Sequence, residues 1–210
     1  DYLSGGGFGV DGGIHFAGGG GAANEVRLIG AGNEGFTYQP SAVMFGTGKF
    51  LTYGKQFNFT DVRSVFVTNT QHLTVEPQGY ADVITASEGT GFQDDVAMTI
   101  SGTSSGTAFP PITFDNVRDL TIDTGLRDDL LVLSHDVVRF DAGSVEARGL
   151  KNVFVRTGKG NDSLTLNGPY TGLPVVDDVL WFFGGTGTDL LAGIGDTNWD
   201  LNDTRLVSSG

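Results

Sequence analysis

Acidic residues recur in this chain at the ends of short polar segments. Asp129, Asp162 and Asp189 each follow a segment that contains glycine, and each precedes a short aliphatic run. Glycine permits positive φ, which lets backbone carbonyls turn toward a common centre, and a carboxylate is the negative oxygen ligand that calcium requires. The same carboxylates can instead accept backbone N–H groups and stabilise a turn. The pattern therefore predicts either a cation site or a hydrogen-bonded turn.

Adjacent carboxylates form three pairs, and acid–base cleavage of glycosidic bonds is the chemistry that such groups perform in right-handed β-helix glycosidases. Neighbouring residues of a strand point to opposite faces of a sheet, so an adjacent pair is not a catalytic dyad by itself. The Gly-His-Gly and Arg-Ile-Lys segments of pectin-cleaving hydrolases do not occur here. We interpret the pairs as solvated acidic corners. They are Asp94–Asp95, Asp128–Asp129 and Asp177–Asp178.

Basic residues and histidines offer no clearer catalytic pattern. Arg63, Arg118 and Lys151 recur at one position of a repeat, where a polysaccharide lyase would need a base, but neighbouring aspartates compensate their charges. The histidines lie far apart and lack serine, cysteine or metal-ligand companions. They are His15, His72 and His135. We predict that the chain is not an enzyme, and a carbohydrate-active β-helix enzyme, either a polysaccharide lyase or a glycoside hydrolase, is the alternative.

Composition excludes several kinds of partner and chemistry. The 210 residues include 12 basic and 25 acidic side chains, and the resulting formal charge of −13 disfavours nucleic acid and anionic lipid. No cysteine is present, which excludes disulfides, thiolate metal sites and cysteine nucleophiles. No apolar run approaches the roughly 18 residues of a membrane-spanning helix, so we predict no membrane span.

The elements that must position the aspartates are strands. Apolar residues occur in short alternating runs bounded by turn residues, and the 34 glycines are typical of a turn-dense fold. Residues 59–67 align with residues 114–122, and shorter copies start at Leu150 and Val176. Strand, polar corner and strand follow one another in each copy. This repetition predicts an all-β fold, a parallel β-helix or β-roll solenoid with irregular coil lengths, and a β-sandwich is the alternative.

One of the corners carries a known family motif. Residues 184–192 fit the nonapeptide G-G-x-G-x-D-x-U-x, residues 157–165 are a copy with one glycine replaced, and residues 124–132 depart further. Here the chain resembles the RTX, or hemolysin-type, glycine- and aspartate-rich repeat proteins. The wider pattern is similar to repeats in large secreted, adhesin-like bacterial proteins.

The resemblance implies Ca²⁺ as a cofactor. Asp129, Asp162 and Asp189 would supply carboxylates. RTX repeats are arranged in tandem, whereas the copies here are separated by about thirty residues, so calcium and a purely structural turn both stay open. The glycines whose carbonyls would lie nearby are Gly125, Gly158, Gly160, Gly185 and Gly187.

The sequence divides into three parts. Residues 1–23 are a glycine-rich N-terminal arm, residues 24–197 the β-solenoid, and residues 198–210 an incomplete repeat or C-terminal tail. We expect self-association end to end through the arm and the open solenoid ends, with surface glycans as a further candidate partner. The run Leu180–Phe183 could stack on sugars, although alternation puts at least half of it in the core. The predicted function is a non-catalytic structural or adhesive solenoid, calcium-stabilised if the sites are real, in a secreted or cell-surface fibre or matrix.

Overall fold

The computed structural model describes residues 2–4, 14–19, 24–91, 96–125, 135–141, 147–167, 179–194, 198–202 and 205–209. These residues form eighteen strands that hydrogen bonds link into one open sheet, and no α-helix is found among them. In chain order the strands are β1 (Tyr2–Ser4), β2 (Ile14–Ala17), β3 (Glu25–Ile29), β4 (Gly35–Pro40), β5 (Gly48–Thr52), β6 (Lys55–Thr60), β7 (Ser64–Val75), β8 (Asp82–Thr90), β9 (Val96–Ser104), β10 (Thr107–Ala108), β11 (Ile112–Asp123), β12 (Val137–Asp141), β13 (Asn152–Arg156), β14 (Ser163–Asn167), β15 (Val179–Phe183), β16 (Leu190–Ile194), β17 (Asn198–Asn202) and β18 (Arg205–Ser209).

Parallel pairing arranges many of these strands in three columns. The first column contains β1, β3 and the first halves of β7 and β11. The second contains β4, the second halves of β7 and β11, then β13 and β15. The third contains β8, β12, β14 and β16. Because β7 and β11 each run through two columns, they hold the first and second columns together.

Alternating side chains explain why each column has a buried face. In the third column Ile84, Val138 and Leu164 are fully buried and lie opposite one another in register. Thr165, one residue further along β14, is partly exposed on the other face. Stacking apolar side chains across parallel strands removes their area from water, which stabilises the fold by about 25 cal/mol per Å². The same alternation holds in the second column, where Leu120 and Val153 are buried partners.

Antiparallel strands lie at the sides and ends of the columns. β4, β5 and β6 form a meander, and β2 joins it by parallel pairing with β6. β9 pairs with β8 along nine residues and also with β11. Near the C-terminus β17 and β18 form a hairpin whose second strand pairs with β15. The predicted arm thus contributes β1 and β2 to the sheet, while residues 5–13 and 20–23 lie outside the described residues.

The all-β prediction is confirmed, but the predicted repeat alignment is only partly right. Val153 pairs with Leu120 as the third copy requires. The first two copies were aligned incorrectly, because Phe114 pairs with Val67 and not with residue 59. The cause is that β7 and β11 each contribute two segments, and the alignment matched the first segment of one with the second of the other. The fourth copy is displaced by one residue, since Trp181 pairs with Phe154, and a shift of one residue exchanges the two faces of a strand.

Candidate functional site

Two glycine corners lie one above the other between the second and third columns. We define them as residues 157–162, which join β13 to β14, and residues 184–189, which join β15 to β16. Gly158 and Gly185 have φ of 83° and 86°, and Gly160 and Gly187 have φ of 139° and 142°. These matching angles show that the two corners adopt the same left-handed turns, which glycine tolerates at no steric cost.

Backbone hydrogen bonds join the glycine corners directly. The N–H of Thr186 donates to the carbonyl of Gly158 at 2.8 Å, and the N–H of Gly160 donates to the carbonyl of Thr186 at 2.9 Å. A Cβ added at Gly185 would overlap the Gly158 carbonyl oxygen, and one added at Gly187 would overlap the carbonyl oxygen of Gly160. Glycine is therefore required at both positions by close backbone approach as well as by φ.

Four aspartates at the start of the third-column strands form the aspartate row. Asp82 is the first residue of β8, and Asp136, Asp162 and Asp189 directly precede β12, β14 and β16. The backbone N–H of each of the first three donates to Oδ1 of the next. The N···O distances are 2.8 Å from Asp82 to Asp136, 2.9 Å from Asp136 to Asp162, and 3.1 Å from Asp162 to Asp189. The carboxylates of Asp136, Asp162 and Asp189 therefore each accept a backbone N–H at the start of the neighbouring strand.

Backbone carbonyls of the row also accept hydrogen bonds, so two bonds at the row connect β12 to β14 and β14 to β16. The carbonyl of Asp136 accepts from the N–H of Ser163, and the carbonyl of Asp162 accepts from the N–H of Leu190, both at 2.8 Å. Three residues of the row are almost inaccessible to solvent, with 0% of Asp82, 2% of Asp136 and 1% of Asp162 exposed. A buried N–H without an acceptor is costly, so this row fixes which residues of adjacent strands lie opposite one another.

The structure brings together two of the three aspartates that the sequence singled out. Asp162 and Asp189 are consecutive members of the row, whereas Asp129 lies outside the described residues. The position in the row before Asp162 is taken by Asp136, which the sequence analysis missed. Its signal was present, because Asp136 precedes an alternating run and stands 26 residues before Asp162, close to the 27 that separate Asp162 from Asp189.

The predicted glycines occupy the corners in the expected order. Gly125 lies against Gly158, since a Cβ added to either would overlap the backbone of the other. Gly158, Gly160, Gly185 and Gly187 are the four residues of positive φ described above. The predicted stacking of glycine segments between strands therefore agrees with the described corners.

Burial changes the acid–base properties of the row. Removal from water, together with repulsion from the nearby Asp82 and Asp162 carboxylates, raises the pKa of Asp136 to about 7, although hydrogen bonds from the Asp82 N–H and the Thr124 hydroxyl oppose the rise. Burial also raises the pKa of Asp162, and the Asp189 carboxylate acts in the same direction. Hydrogen bonds from the Asp136 N–H and from Thr157 oppose that rise. Near neutral pH Asp136 therefore carries less than one full negative charge.

Calcium ligation requires several oxygen ligands around one point, and backbone carbonyls as well as carboxylates can supply them. Oδ1 of both Asp162 and Asp189 already accepts a backbone N–H, and the carbonyl of Gly158 accepts from Thr186. Among the residues that the structure describes, no three histidine, cysteine, aspartate or glutamate side chains converge as metal ligands would. These contacts favour the hydrogen-bonded turn of the two alternatives that the sequence left open.

A second stacked corner bends β7 and β11. Asn69 and Asn116 have φ of 57° and 48°, a conformation that asparagine tolerates better than most residues. The side-chain amide of Asn116 donates to Oδ1 of Asn69 at 3.0 Å, and that of Asn69 donates to the carbonyl of Gly30 at 2.7 Å. The sequence predicts a polar corner at residues 67–73 but not its stacking on Asn116, because residues 114–122 are aligned there with residues 59–67.

The remaining candidate residues do not gather into one site. His72 contacts Asp119 through Nδ1 at 2.9 Å, and His135 contacts the carbonyl of Asn161 through Nδ1 at 2.8 Å. The N–H of Lys151 donates to the carbonyl of Arg118 at 2.7 Å, so these two residues are neighbours. Arg63 is not next to them, because the pairing of β11 with β7 places Arg118 opposite Gln71. The paired carboxylates of the sequence analysis lie outside the described residues. They are Asp94–Asp95, Asp128–Asp129 and Asp177–Asp178.

Comparison with known proteins identified no similar protein. No protein-family model, no curated protein and no solved structure matches this chain. The resemblance to RTX repeats therefore stays a prediction that depends on the corner residues alone. Within the described ranges, no helix has the length and apolarity needed to cross a lipid bilayer.

Proposed function

We propose that the chain is a β-solenoid that acts as a non-catalytic structural or adhesive segment of a secreted or cell-surface fibre or matrix. One coil would consist of a second-column strand, a corner, a third-column strand and the return connection. β13, the corner 157–162 and β14 are one example, and β15, the corner 184–189 and β16 are the next. Such stacking gives a stiff rod whose length grows with the number of coils.

The observation that carries this proposal is the aspartate row. It joins strands that are parallel, in register and 26 or 27 residues apart in the chain from Asp136 onward. A β-sandwich is built from antiparallel hairpins and Greek-key connections. In that arrangement there is no reason for the same corner to recur before each of several parallel strands. The row therefore supports the solenoid over the sandwich.

The location of the unusual carboxylates supports a structural role over catalysis. Asp123, Asp136 and Asp162 have raised pKa values because they are buried, and each is at most 5% exposed. Two surface cavities, one beside Asn116 and one beside His72, contain no carboxylate in their linings. A glycoside hydrolase or polysaccharide lyase, the competing proposal, needs acid and base groups that reach the substrate.

The ends of the columns are where assembly is expected. Within the described residues β16 pairs only with β14, and β1 pairs only with β3, so each has one edge with further hydrogen-bonding capacity. Leu190, at the start of β16, is 59% exposed. Unpaired edges with exposed apolar side chains promote strand addition from another chain. End-to-end association through these edges would extend the rod.

Assembly can be tested with a matched pair of substitutions. Leu190 and Val83 lie in the same outward row of the third column, but β8, which carries Val83, is paired on both edges. We expect the native chain to form concentration-dependent oligomers in sedimentation velocity and short rods in electron micrographs. Leu190→Lys should abolish them, and Val83→Lys should not. A chain that stays monomeric at every concentration, or that assembles equally well with Leu190→Lys, would overturn the assembly proposal.

A further inference from the structure

The outer face of the second column combines aromatic and hydrogen-bonding side chains. We call it the Trp181 face and define it by Asp119, Asn152, Phe154, Arg156, Trp181 and Phe183. These residues alternate along β11, β13 and β15 with inward residues such as Leu120, Val153 and Leu180, which are buried. They therefore all lie on the side of the sheet that faces away from the core.

Three aromatic rings on this face are close to parallel. Phe154 and Trp181, which are opposite one another on neighbouring strands, have ring centroids 6.5 Å apart and planes that differ by 14°. Trp181 and Phe183 have centroids 6.4 Å apart and planes that differ by 6°. Phe183 is 41% exposed, and Phe154 and Trp181 are partly exposed. Aligned, accessible rings offer apolar surfaces to flat ligands.

The polar side chains beside the rings are held in place by one another. Oδ1 of Asp119 accepts from the amide of Asn152 at 2.6 Å, and its Oδ2 contacts Nδ1 of His72 at 2.9 Å. The guanidinium of Arg156 lies 5.8 Å from the centre of the Phe183 ring and 3.8 Å from Asp123. Side chains fixed before a ligand arrives lose little conformational entropy when it binds.

The charge of the face differs from that of the whole chain. Asp123 lies 3.8 Å from the guanidinium of Arg156, and Asp119 lies 3.9 Å from that of Arg118, so acidic and basic groups balance here, whereas the chain carries −13 overall. Phosphate-rich or uronic-acid-rich polymers would meet a repulsive field. Donors and acceptors alternate with aromatic surface, and this combination matches a neutral sugar polymer, which has hydroxyl edges and apolar C–H faces.

The spacing of the strands also suits such a polymer. Parallel strands lie about 4.8 Å apart, which is close to the length of one sugar ring in an extended β-linked chain. The four strand segments of β7, β11, β13 and β15 span roughly 14 Å at that spacing. Consecutive sugar rings would therefore meet consecutive strands if the polymer crossed them along the column.

We propose that the Trp181 face binds an extended, neutral, β-linked polysaccharide. Trp181 and Phe154 stack on the apolar faces of sugar rings, while Asp119, Asn152 and His72 contact the hydroxyl groups. This inference deepens the adhesive role proposed above and rests on it.

Affinity electrophoresis of the full chain tests this proposal. The probes are hydroxyethylcellulose, xylan and glucomannan in the gel as neutral β-linked polymers, and polygalacturonate as an acidic one. We expect retardation by at least one neutral polymer. Trp181→Ala should weaken it about tenfold and Asn152→Ala about threefold. Thr165→Ala, on the outer face of β14 in the third column, is the matched control and should bind normally.

The outcomes separate glycan binding from the structural role. Phe183→Ala replaces Trp181→Ala if circular dichroism shows that the latter does not fold. Lack of retardation by every neutral polymer, retardation by polygalacturonate alone, or full binding by Trp181→Ala would each overturn the glycan proposal. If the native chain assembles and Leu190→Lys does not, absent glycan binding would leave the structural role intact and overturn only the glycan proposal.

Discussion

The backbone N–H of Asp162 donates to Oδ1 of Asp189, 27 residues further along the chain, at an N···O distance of 3.1 Å. The same relationship joins Asp136 to Asp162 and Asp82 to Asp136. An aspartate in this row therefore stabilises the strand before its own and not only the turn in which it lies. The row explains how connections of unequal length can still place the third-column strands in register.

Removing one carboxylate from the row should destabilise the fold. Asp162→Ala leaves the buried N–H of Asp136 without its acceptor, so we expect the free energy of unfolding to fall by about 1–3 kcal/mol. Asp162→Asn retains a side-chain carbonyl oxygen in place of the carboxylate and should cost less than about 1 kcal/mol. Urea denaturation at pH 7 followed by circular dichroism measures both.

Asp141→Ala is the control for a carboxylate of the same column that is outside the row. Asp141 accepts from Arg139 and Asn167 on the partly exposed face of β12. Because exposed ion pairs contribute little, its loss should cost about 0–1 kcal/mol. Equal destabilisation by Asp141→Ala and Asp162→Ala would show that the row has no special role.

Stability should decrease as the pH rises from 5 to 8. The pKa of Asp136 is about 7 in the folded chain and has its ordinary value of 3.8 when unfolded, so the folded state binds more protons between these values. This contribution is fully present below about pH 4 and is lost as the pH rises through 7. The raised pKa of Asp162 acts with the same sign.

The pH effect can be assigned to the row with one substitution. Asp136→Asn cannot ionise but retains an oxygen acceptor for the N–H of Asp82. Urea midpoints of this variant should vary less between pH 5 and pH 8 than those of the native chain. A native midpoint that increases across this interval, or an equally steep decrease in Asp136→Asn, would contradict the assignment.

Glycine substitutions should distinguish backbone contact from backbone conformation. Gly185 and Gly54 have similar φ values of 86° and 71°, but only at Gly185 would a new Cβ overlap a neighbouring carbonyl. Gly54→Ala should cost about 1 kcal/mol from φ alone. Gly185→Ala should cost at least about 3 kcal/mol, because strain and overlap add. Similar losses in urea denaturation would show that the glycine corners are not in contact.

Chelation distinguishes the two interpretations of the corners. Oδ1 of Asp162 and of Asp189 is engaged by backbone N–H groups, so we expect the melting temperature to be the same in EGTA and in millimolar calcium. A calcium-held corner requires a lower melting temperature in EGTA, because a ligand that binds only the folded state stabilises it. Magnesium serves as the control for general ionic effects.

Local signals in the sequence were sufficient for the strands and for part of the site. Alternating runs such as residues 163–167 predicted strands, since a half-buried strand needs every second side chain to be apolar. The glycine motif placed Asp162 and Asp189 at equivalent corners, and the structure brings them together. Both inferences depend on residues that are close in sequence.

Features that depend on the pairing of strands far apart in the sequence could not be predicted from local patterns. Asp136 was missed because residues 126–134 separate it from the Thr124–Gly125 start of its corner, which breaks the motif. The bends at Asn69 and Asn116 divide β7 and β11 between two columns, and the sequence predicts a corner at residues 67–73 but none at Asn116. Repeat alignment by apolar pattern alone therefore matched the wrong halves.

Cross-linking between successive coils tests the stacked arrangement most directly. The chain has no cysteine, and Thr165 of β14 pairs in parallel register with Ala192 of β16, whereas Thr85 of β8 is in the same row three strands from Ala192. Under mild oxidation, Thr165→Cys with Ala192→Cys should form an intramolecular disulfide, identified by mass spectrometry of the linked peptides. Thr85→Cys with Ala192→Cys should not. Absence of the first cross-link, or equal yields from both pairs, would contradict a solenoid with stacked third-column strands.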